Sequence, residues 1–260
     1  MITSAANPKL RYVRALARRA FRAREGSLVV EGMRAVDDAL AAGAAPRFLL
    51  VTPEFLASER ADALQRRLGS APGTPILEVG AELFADLTDT VHPQGVLAVI
   101  PTPQLELPPR LSLVVILDGL RDPGNVGTLL RTAAAAGADA LVMGPGSVDW
   151  TNPKVVRAAM GAHFRLPVRY LDWAAIGSLA ALHGLTVLIA DAAGGTTYTE
   201  VDWRAPSALV VGSEAHGISP AASALASGRV RIPMPGGVES LNAATSAAVV
   251  LFEAVRQREG

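Results

Sequence analysis

Three loops in the second half of the chain carry the polar side chains that could do chemistry. Asn125 and Arg131 belong to the first loop and the helical pattern after it, DPGNVGTLLRTAAAAG, and Glu214 belongs to the second, VVGSEAHGIS. Ser240 and Asn242 belong to the third, RIPMPGGVESLNAATSAA. Each loop follows a strand-like apolar run, so these side chains are candidates for holding a ligand where strands end.

The first loop contains two glycines, Gly124 and Gly127, that let the backbone approach a partner closely. It has neither the G-x-G-x-x-G pattern of dinucleotide sites nor the G-x-x-x-x-G-K-[ST] pattern of phosphate loops, so neither function is indicated. Arg131 lies in an apolar helical stretch, where desolvating a guanidinium costs free energy unless an anion meets it. That position predicts either an anionic ligand or an internal salt bridge.

The second and third loops allow several interpretations. Ser213, Glu214 and His216 are residue types found in hydrolases, but their spacing is not that of the G-x-S-x-G nucleophile elbow. Glu214 could instead cap the following turn. In the third loop, a Pro-Gly-Gly turn precedes a helix that Ser240 or Asn242 could cap. A helix N-terminus favours an anion, but residues 232–242 contain no lysine or arginine to hold a polyphosphate.

Strand-like and helical patterns alternate throughout residues 111–260. The strand-like runs are LSLVVILD, ADALVMG, PVRYL, LTVLIAD, SALVVGSE and RVRIPM, and such continuous apolar runs are typical of buried parallel strands. We therefore predict an α/β domain with a mostly parallel sheet and helices on both faces. Prolines in residues 101–110 predict a linker, and residues 1–100 predict a smaller α/β domain.

Composition narrows the class of protein. Half of the 260 residues are apolar, 18% are charged and the formal net charge is zero, so a large core is available and no overall attraction to polyanions is indicated. The absence of cysteine excludes disulfides, thiolate metal sites and cysteine nucleophiles. No apolar run reaches the ~18–20 residues that cross a bilayer. We expect a cytoplasmic protein with no metal site and no membrane partner.

A basic segment opens the chain, with seven lysines and arginines before the first acidic residue. Arg11, Arg14, Arg18 and Arg22 are spaced to share one face of a helix, and apolar residues fall on another face. Together with Lys9, such a face could lie on a phosphate backbone. A solvated amphipathic helix and an arginine-rich transit peptide are the alternatives.

Taken together, in this order and spacing, the three loops resemble the three motifs of the SpoU (TrmH-like) RNA 2′-O-methyltransferases. DPGNVGTLLRTAAAAG is similar to motif 1, VVGSEAHGIS to motif 2 and RIPMPGGVESLNAATSAAVVLFEA to motif 3. NPKLRYVRAL, SLVVEGMRAVDDAL and HPQGVLAVI resemble the L30e-like substrate-binding domain that precedes many of these catalytic domains. This resemblance implies that the basic residues near the start of the chain contact RNA, namely Lys9, Arg11, Arg14, Arg18 and Arg22. The resemblance implies S-adenosylmethionine as cofactor, a homodimer whose sites draw on both chains, and a deep C-terminal trefoil knot of the SPOUT type.

The same resemblance implies a role for each matching position. The cofactor pocket is expected to be lined, largely through backbone groups, by Val211, Gly212, Ile232, Met234, Leu241 and Ala243. Arg131 is the candidate for stabilising a 2′-alkoxide or drawing its proton, and Asn125, Glu214, Ser240 and Asn242 are the candidates for organising the site and holding RNA. The implied pocket is apolar and glycine-rich, with no acidic residue for the ribose of the cofactor.

We therefore predict an S-adenosylmethionine-dependent RNA ribose 2′-O-methyltransferase that acts on 23S ribosomal RNA. A tRNA methyltransferase of the same family and a non-catalytic RNA-binding or ribosome-assembly factor on the same fold are alternatives. A nicotinamide-dependent oxidoreductase is the function that periodicity alone would suggest, but the missing glycine fingerprint argues against it.

Overall fold

The computed structural model describes residues 1–69, 73–88, 90, 92–214 and 217–260. The chain forms two compact units. Unit 1 comprises Met1–Gln104 together with Asp149–Phe164, and unit 2 comprises Leu105–Val148 together with Arg165–Gly260. The first division falls inside the proline-rich segment predicted as a linker. The prediction that all of residues 111–260 form one domain missed the return of residues 149–164 to unit 1.

The helices and strands follow the alternation seen in the sequence. The helices are α1 (Pro8–Ala15), α2 (Arg19–Glu25), α3 (Met33–Ala41), α4 (Pro53–Leu56), α5 (Glu59–Leu68), α6 (Ala81–Ala85), α7 (Pro123–Ala135), α8 (Pro153–Ala159), α9 (Trp173–His183), α10 (Pro220–Leu225) and α11 (Ala243–Glu259). The strands are β1 (Ser27–Glu31), β2 (Phe48–Val51), β3 (Ile76–Glu78), β4 (Val96–Pro101), β5 (Leu113–Asp118), β6 (Ala140–Met143), β7 (Val168–Tyr170), β8 (Thr186–Ala190), β9 (Thr196–Thr197), β10 (Ser207–Gly212) and β11 (Gly228–Arg231).

Unit 1 is built on a four-stranded mixed sheet in the order β1-β4-β2-β3. Strand β4 is antiparallel to both β1 and β2, and β3 is parallel to β2. Leu28, Leu49 and Ile100 from the sheet share a buried core with Val156 and Phe164 from the returning segment. Residues 149–164 are therefore part of the core of unit 1, although they lie between β6 and β7 of unit 2 in the sequence.

Unit 2 is built on a seven-stranded sheet in the order β7-β6-β5-β10-β8-β11-β9, and its strand pairs are parallel. All residues of the interior strand β5 are buried, as the continuous apolar run predicts for a sheet covered on both faces. The predicted mostly parallel α/β architecture is confirmed. In the described part of the chain, no helix combines the length and hydropathy needed to span a bilayer.

The predicted continuous basic helix is wrong. The segment forms two helices, α1 and α2, separated by Leu16, Ala17 and Arg18, so the basic residues do not share one face. Leu16 is fully buried and ends α1. Periodicity alone could not reveal this break, since it contains neither proline nor glycine. In the structure, the carbonyl oxygens of Leu16 and Ala17 at the break accept hydrogen bonds from Arg22.

Arg22 is not a surface residue, and its prediction as an RNA contact is wrong. It is only 4% exposed. Its guanidinium donates to the carbonyl oxygens of Leu16 at 2.9 Å and Ala17 at 2.7 Å, and it forms an ion pair with Asp149 at 2.5 Å. Arg22 thus joins the returning segment to the helix break within unit 1. Burial opposes ionisation of Asp149, but hydrogen bonds from Thr151 and Arg22 outweigh it and hold the pKa of Asp149 below its usual value.

Replacing Arg22 should destabilise unit 1. Arg22→Met removes the donors to two backbone carbonyls and leaves a largely buried carboxylate unpaired, which should cost about 3–5 kcal/mol. Urea unfolding followed by circular dichroism measures this cost. Arg18→Met, at an exposed position, is the matched control and should change stability by no more than about 0.5 kcal/mol. Equal stability of the two variants would contradict this role for Arg22.

Burial of His163 should make stability depend on pH. Its ring stacks on Trp150 at a centroid distance of 5.2 Å, its Nε2 lies 2.7 Å from the Trp150 carbonyl oxygen, and burial lowers the pKa of His163 to about 4. Below about pH 6.5, which is the ordinary pKa of histidine, the imidazole of residue 163 is protonated in the unfolded chain but stays neutral in the folded chain. Stability should therefore fall by about 2 kcal/mol between about pH 7 and pH 5.

His163→Gln should remove that part of the pH dependence, because glutamine can still donate to the carbonyl but does not titrate. Urea midpoints of wild type and variant at the two pH values provide the measurement. His92→Gln, at an exposed histidine, should keep the wild-type dependence. If His163→Gln keeps it as well, burial of the His163 ring is not its source.

Candidate active site

One carboxylate gathers the three loops that the sequence singled out. Glu214 Oε1 accepts hydrogen bonds from Asn125 Nδ2 at 3.1 Å, from Asn242 Nδ2 at 2.9 Å and from the backbone N–H of Ala243 at 3.0 Å. Asn242 Nδ2 also donates to Asn125 Oδ1 at 2.8 Å. Asn125, Glu214 and Asn242, predicted as site residues, are therefore in mutual contact. We call these three residues the amide–carboxylate network.

Local sequence explains how each member is placed. Asp122 caps α7 by accepting from the backbone N–H of Asn125 at 2.7 Å, which fixes Asn125 in the first turn. Asn242 caps α11 by accepting from the backbone N–H groups of Ala244 and Thr245. Asparagine and aspartate are among the preferred residues at this position. The helix N-terminus also favours the nearby negative charge of Glu214.

Gly212, the last residue of β10, permits a close backbone approach. A Cβ atom at this position would lie 2.7 Å from the carbonyl oxygen of Gly217 and 2.7 Å from Ile218 Cδ1. The loop after β10 folds back onto the strand end, and only glycine leaves room for it. His216, considered above for a hydrolase, lies outside the described residues.

A cavity of ≈ 440 Å³ opens at the carboxyl ends of β8, β10 and β11. It lies beside the amide–carboxylate network, since Glu214 and the predicted site residue Ser240 contribute to its lining. All of the positions predicted for cofactor binding line it, namely Val211, Gly212, Ile232, Met234, Leu241 and Ala243. In open parallel sheets, ligands bind at this edge.

The cavity also contains an acidic residue that the sequence analysis did not predict. Asp191 follows the end of β8, lines the cavity and forms an ion pair with Arg229. A hydrogen bond from the backbone N–H of Ala193, supported by Arg229, keeps the pKa of Asp191 below its usual value. The expectation of a pocket without an acidic residue is thus wrong. The signal was present in LTVLIAD, where an aspartate directly follows a buried strand.

Arg131 lies outside this cluster. It is exposed on α7 and does not line the cavity. Within the described residues it has no hydrogen-bond or ion-pair partner, so the internal salt bridge considered above does not form. The apolar helical stretch predicted that the Arg131 guanidinium is shielded from water, and this prediction is wrong for a single chain, in which Arg131 is exposed. Arg131 is therefore free to meet an anion from outside its own chain.

The geometry of this site suits the positioning of a substrate more than covalent catalysis by a side chain. The cavity presents mostly uncharged, small and apolar groups, and the network beside it holds two amides and one carboxylate in fixed orientation. Neither a serine–histidine pair nor a phosphate-binding glycine loop is present among these described side chains. A parallel α/β sheet with such a cavity at its strand ends defines a protein that binds a nucleotide-like cofactor there.

The family is shown by comparison with known proteins. The model of the SpoU rRNA methylase family matches residues 112–252, and the model of the MRM3-like substrate binding domain matches residues 7–98. The chain belongs to the SpoU rRNA methylase family. The resemblance stated from the three motifs is confirmed.

Relatives and solved structures agree with this assignment. Human mitochondrial rRNA methyltransferase 3 is 32% identical, over 93% of this chain and 70% of the human protein. The Bacillus subtilis 23S rRNA (guanosine(2553)-2′-O)-methyltransferase RlmP is 30% identical, over 96% of this chain and 97% of its own length. The crystal structure of the SpoU methyltransferase AviRb from Streptomyces viridochromogenes with AdoMet has a TM-score of 0.86 at 30% identity, covering 97% of this chain and 98% of AviRb.

Changing Asn242 to aspartate should make stability depend on pH. Asn242→Asp keeps the oxygen that caps α11 but replaces the donor to Glu214 with a second carboxylate. Two adjacent carboxylates raise the pKa of the pair. A raised folded-state pKa means that the variant is relatively stable at acid pH and loses stability as pH rises above about 4.

Urea midpoints of the variant at about pH 5 and pH 8, compared with wild type, measure this loss. Asn7→Asp is the matched control, because Asn7 caps α1 by accepting from the Lys9 N–H and has no place in the network. It should not show the loss on raising pH. The same loss in both variants would show that contact with Glu214 is not its cause.

Proposed function

We propose that the protein transfers a methyl group from S-adenosylmethionine to the 2′-hydroxyl of a ribose in 23S ribosomal RNA. The observation that carries this proposal is the cavity at the strand ends, in which the predicted cofactor positions meet the amide–carboxylate network. Membership of the SpoU family and the names of the relatives support the reaction and the class of RNA.

The residues of the cavity fit S-adenosylmethionine. Its volume lies in the usual range for small-molecule sites, about 300–1,000 Å³. Residues 232–242 form neither helix nor strand, so their backbone groups can hydrogen-bond to an adenosyl group, while Leu241 and Ala243 cover it. The cofactor supplies an electrophilic methyl group on a sulfonium. Gly212 lets the loop after β10 approach closely enough to close one side of the cavity.

The amide–carboxylate network orients the RNA beside this cavity. Three donors converge on Glu214 Oε1, so Oε2 is the oxygen left to accept from a ribose hydroxyl. Asn125 Nδ2 retains a second hydrogen for an RNA oxygen. Ser240 adds a hydroxyl at the cavity edge. Holding the hydroxyl in one place supplies much of the rate by proximity.

Arg131 stabilises the developing negative charge on the 2′-oxygen, and it does so in the site of a partner copy. It lies six residues after Asn125 on α7, ~9 Å further along the helix axis, and does not line the cavity of its own chain. A guanidinium is a poor base at an ordinary pKa, so electrostatic stabilisation is the favoured role. The homodimer would form through the layer of α7 and α11, which pack together and expose Phe252.

Unit 1 is an L30e-like domain that binds the RNA substrate. Lys9, Arg11 and Arg18 are exposed on and after α1 and remain available for phosphates. Arg14 is partly exposed, donates to the Ala5 carbonyl oxygen and lies 4.0 Å from the Asp86 carboxylate. Arg22 is excluded from this role by its burial. We place the reaction in the cytoplasm, where bacterial ribosomes assemble.

We further propose that the C-terminal segment is knotted. The start of α11 is bound by Glu214, its length packs on α7 and β10, and its end is held by other loops of unit 2. Gln257 donates to the Val201 carbonyl oxygen, and Arg258 donates to those of Ser112 and Trp203. These contacts fix the terminal helix to segments far apart in sequence, which supports the proposal of a C-terminal trefoil knot.

The role of Arg131 is tested by methyl transfer. Arg131→Ala should lower turnover of tritiated methyl groups into 23S rRNA by about 100-fold or more, as for loss of an oxyanion donor. Binding of S-adenosylhomocysteine, measured by calorimetry, should not change. Arg131→Lys should retain part of the activity because it keeps the charge. Full turnover in the alanine variant would remove Arg131 from the mechanism.

Co-expression of Arg131→Ala with Asn125→Ala distinguishes action in the partner's site from action within one chain. Each variant alone should be inactive, whereas random pairing should restore about one quarter of the wild-type sites, because half of the dimers then contain one intact site. No restoration would contradict a site shared between chains. Mapping 2′-O-methyl groups in ribosomal RNA from a deletion strain and its parent tests the whole proposal, and identical maps would refute it.

A further inference from the structure

A hollow in unit 1, between α3 and α5, concentrates positive charge. Its volume is ≈ 670 Å³, and Arg34, Arg60, Arg66 and Arg67 line it with Asp37 as the single acidic residue. Four arginines against one aspartate leave an excess of three positive charges. We call this feature the arginine hollow. It lies apart from the basic segment around α1 that the sequence singled out, in a protein whose net charge is zero.

The charges of the arginine hollow are mostly not balanced within unit 1. Asp37 pairs with Arg67, at 2.7 Å between Oδ1 and Nε. Arg34, Arg60 and Arg66 are exposed and have no acidic partner among the described residues. Arg34 lies in the first turn of α3, where a positive charge opposes the helix dipole. Stability of the fold therefore does not explain this cluster, and an external anion would.

Helix geometry points these groups to one place. Arg60, Ala63 and Arg67 are spaced i, i+3 and i+7 on α5, so they share one face with a small residue between the two arginines. Gln94 also lines the hollow, and its Oε1 accepts from the backbone N–H of Met33 at 3.0 Å. That bond leaves the Nε2 amide as a further donor. A surface that offers mainly donors suits phosphate oxygens, which only accept.

A second hollow adjoins the first. It has a volume of ≈ 570 Å³ and shares Arg60 and Gln94 with the arginine hollow, while Ala81, Ala85 and Pro93 contribute apolar surface and Glu54 is its single acidic residue. A charged groove continuing into an apolar recess matches a nucleic acid strand, in which phosphates alternate with nucleosides. In a duplex the bases are paired and stacked, so a nucleoside can enter such a recess only from an unpaired segment.

We propose that the arginine hollow holds the phosphodiester backbone of an unpaired segment of the RNA substrate, with a neighbouring nucleoside in the apolar recess. This inference rests on the proposed function, because RNA is the substrate of that function. It assigns substrate recognition in unit 1 to α3 and α5 as well as to the exposed residues of α1.

The test compares two triple variants of the full chain. Arg34→Gln, Arg60→Gln and Arg66→Gln together neutralise the unpaired charges of the hollow. Arg19→Gln, Arg24→Gln and Arg47→Gln remove the same charge from other exposed positions of unit 1. The probe is a fluorescein-labelled transcript of 23S rRNA, and anisotropy titrations over a range of salt concentrations give the affinity and its salt slope.

The hollow variant should bind the transcript at least about tenfold more weakly than wild type near physiological salt, and its salt slope should fall by about two to three. The control should stay close to wild type. Affinity for S-adenosylhomocysteine should be the same in all three proteins, because the cofactor cavity lies in unit 2. That last measurement also shows that unit 2 of the variants is folded, and urea unfolding followed by circular dichroism checks unit 1.

The outcomes separate this inference from the proposed function. If wild type methylates the transcript and the hollow variant matches the control in affinity and slope, the inference about the hollow is overturned and the proposed function stands. If wild type neither binds S-adenosylhomocysteine nor methylates RNA, the proposed function fails and the inference falls with it. A hollow variant that loses affinity for polyglutamate but not for RNA would identify an acidic-peptide site and also overturn the inference.

Discussion

The hydrogen bonds that converge on Glu214 Oε1 hold the functional part of unit 2 together. They join the first turn of α7, the loop after β10 and the first residues of α11, which are far apart in sequence. A carboxylate can serve all three because it is an acceptor with no hydrogen to place. Glutamine would keep one oxygen but lose the charge that the α11 N-terminus favours. The shape of the cavity depends on this arrangement, since Glu214 belongs to the network and also lines the cavity.

Much of unit 2 could be predicted from the sequence because its sheet is buried on both faces. Runs such as LSLVVILD and SALVVGSE leave little choice other than parallel strands, and parallel strands place their following loops at one edge. Asn125, Glu214 and Asn242 could therefore be expected near each other. Their contact distances depend on capping geometry, and their assignment to one site came from the resemblance to a family. Asp191 was missed because a single aspartate after a strand is common and carries little information by itself.

Other features could not be predicted because they depend on contacts between distant segments. At the break between α1 and α2, the carbonyl oxygens of Leu16 and Ala17 accept from Arg22, and Arg22 in turn pairs with Asp149, which is more than a hundred residues away. Periodicity describes only neighbours along a helix, so it assigned Arg22 to the solvent-exposed face. The arginine hollow could not be predicted from the sequence for the same reason. Its charges come from α3 and α5, and neither helix alone is notably basic.

Residues 149–164 have a consequence for how this protein can be divided. The chain leaves unit 1 after residue 104, returns to it at residue 149 and leaves again after residue 164. A fragment ending in the proline-rich segment would lack Val156 and Phe164 from its own core and would expose apolar surface. Expression of either half alone would therefore give an incomplete and aggregation-prone chain. Exchange of unit 1 between homologous enzymes would need three matched crossovers instead of one, after residue 104, before residue 149 and after residue 164, which ties recognition and catalysis together during recombination.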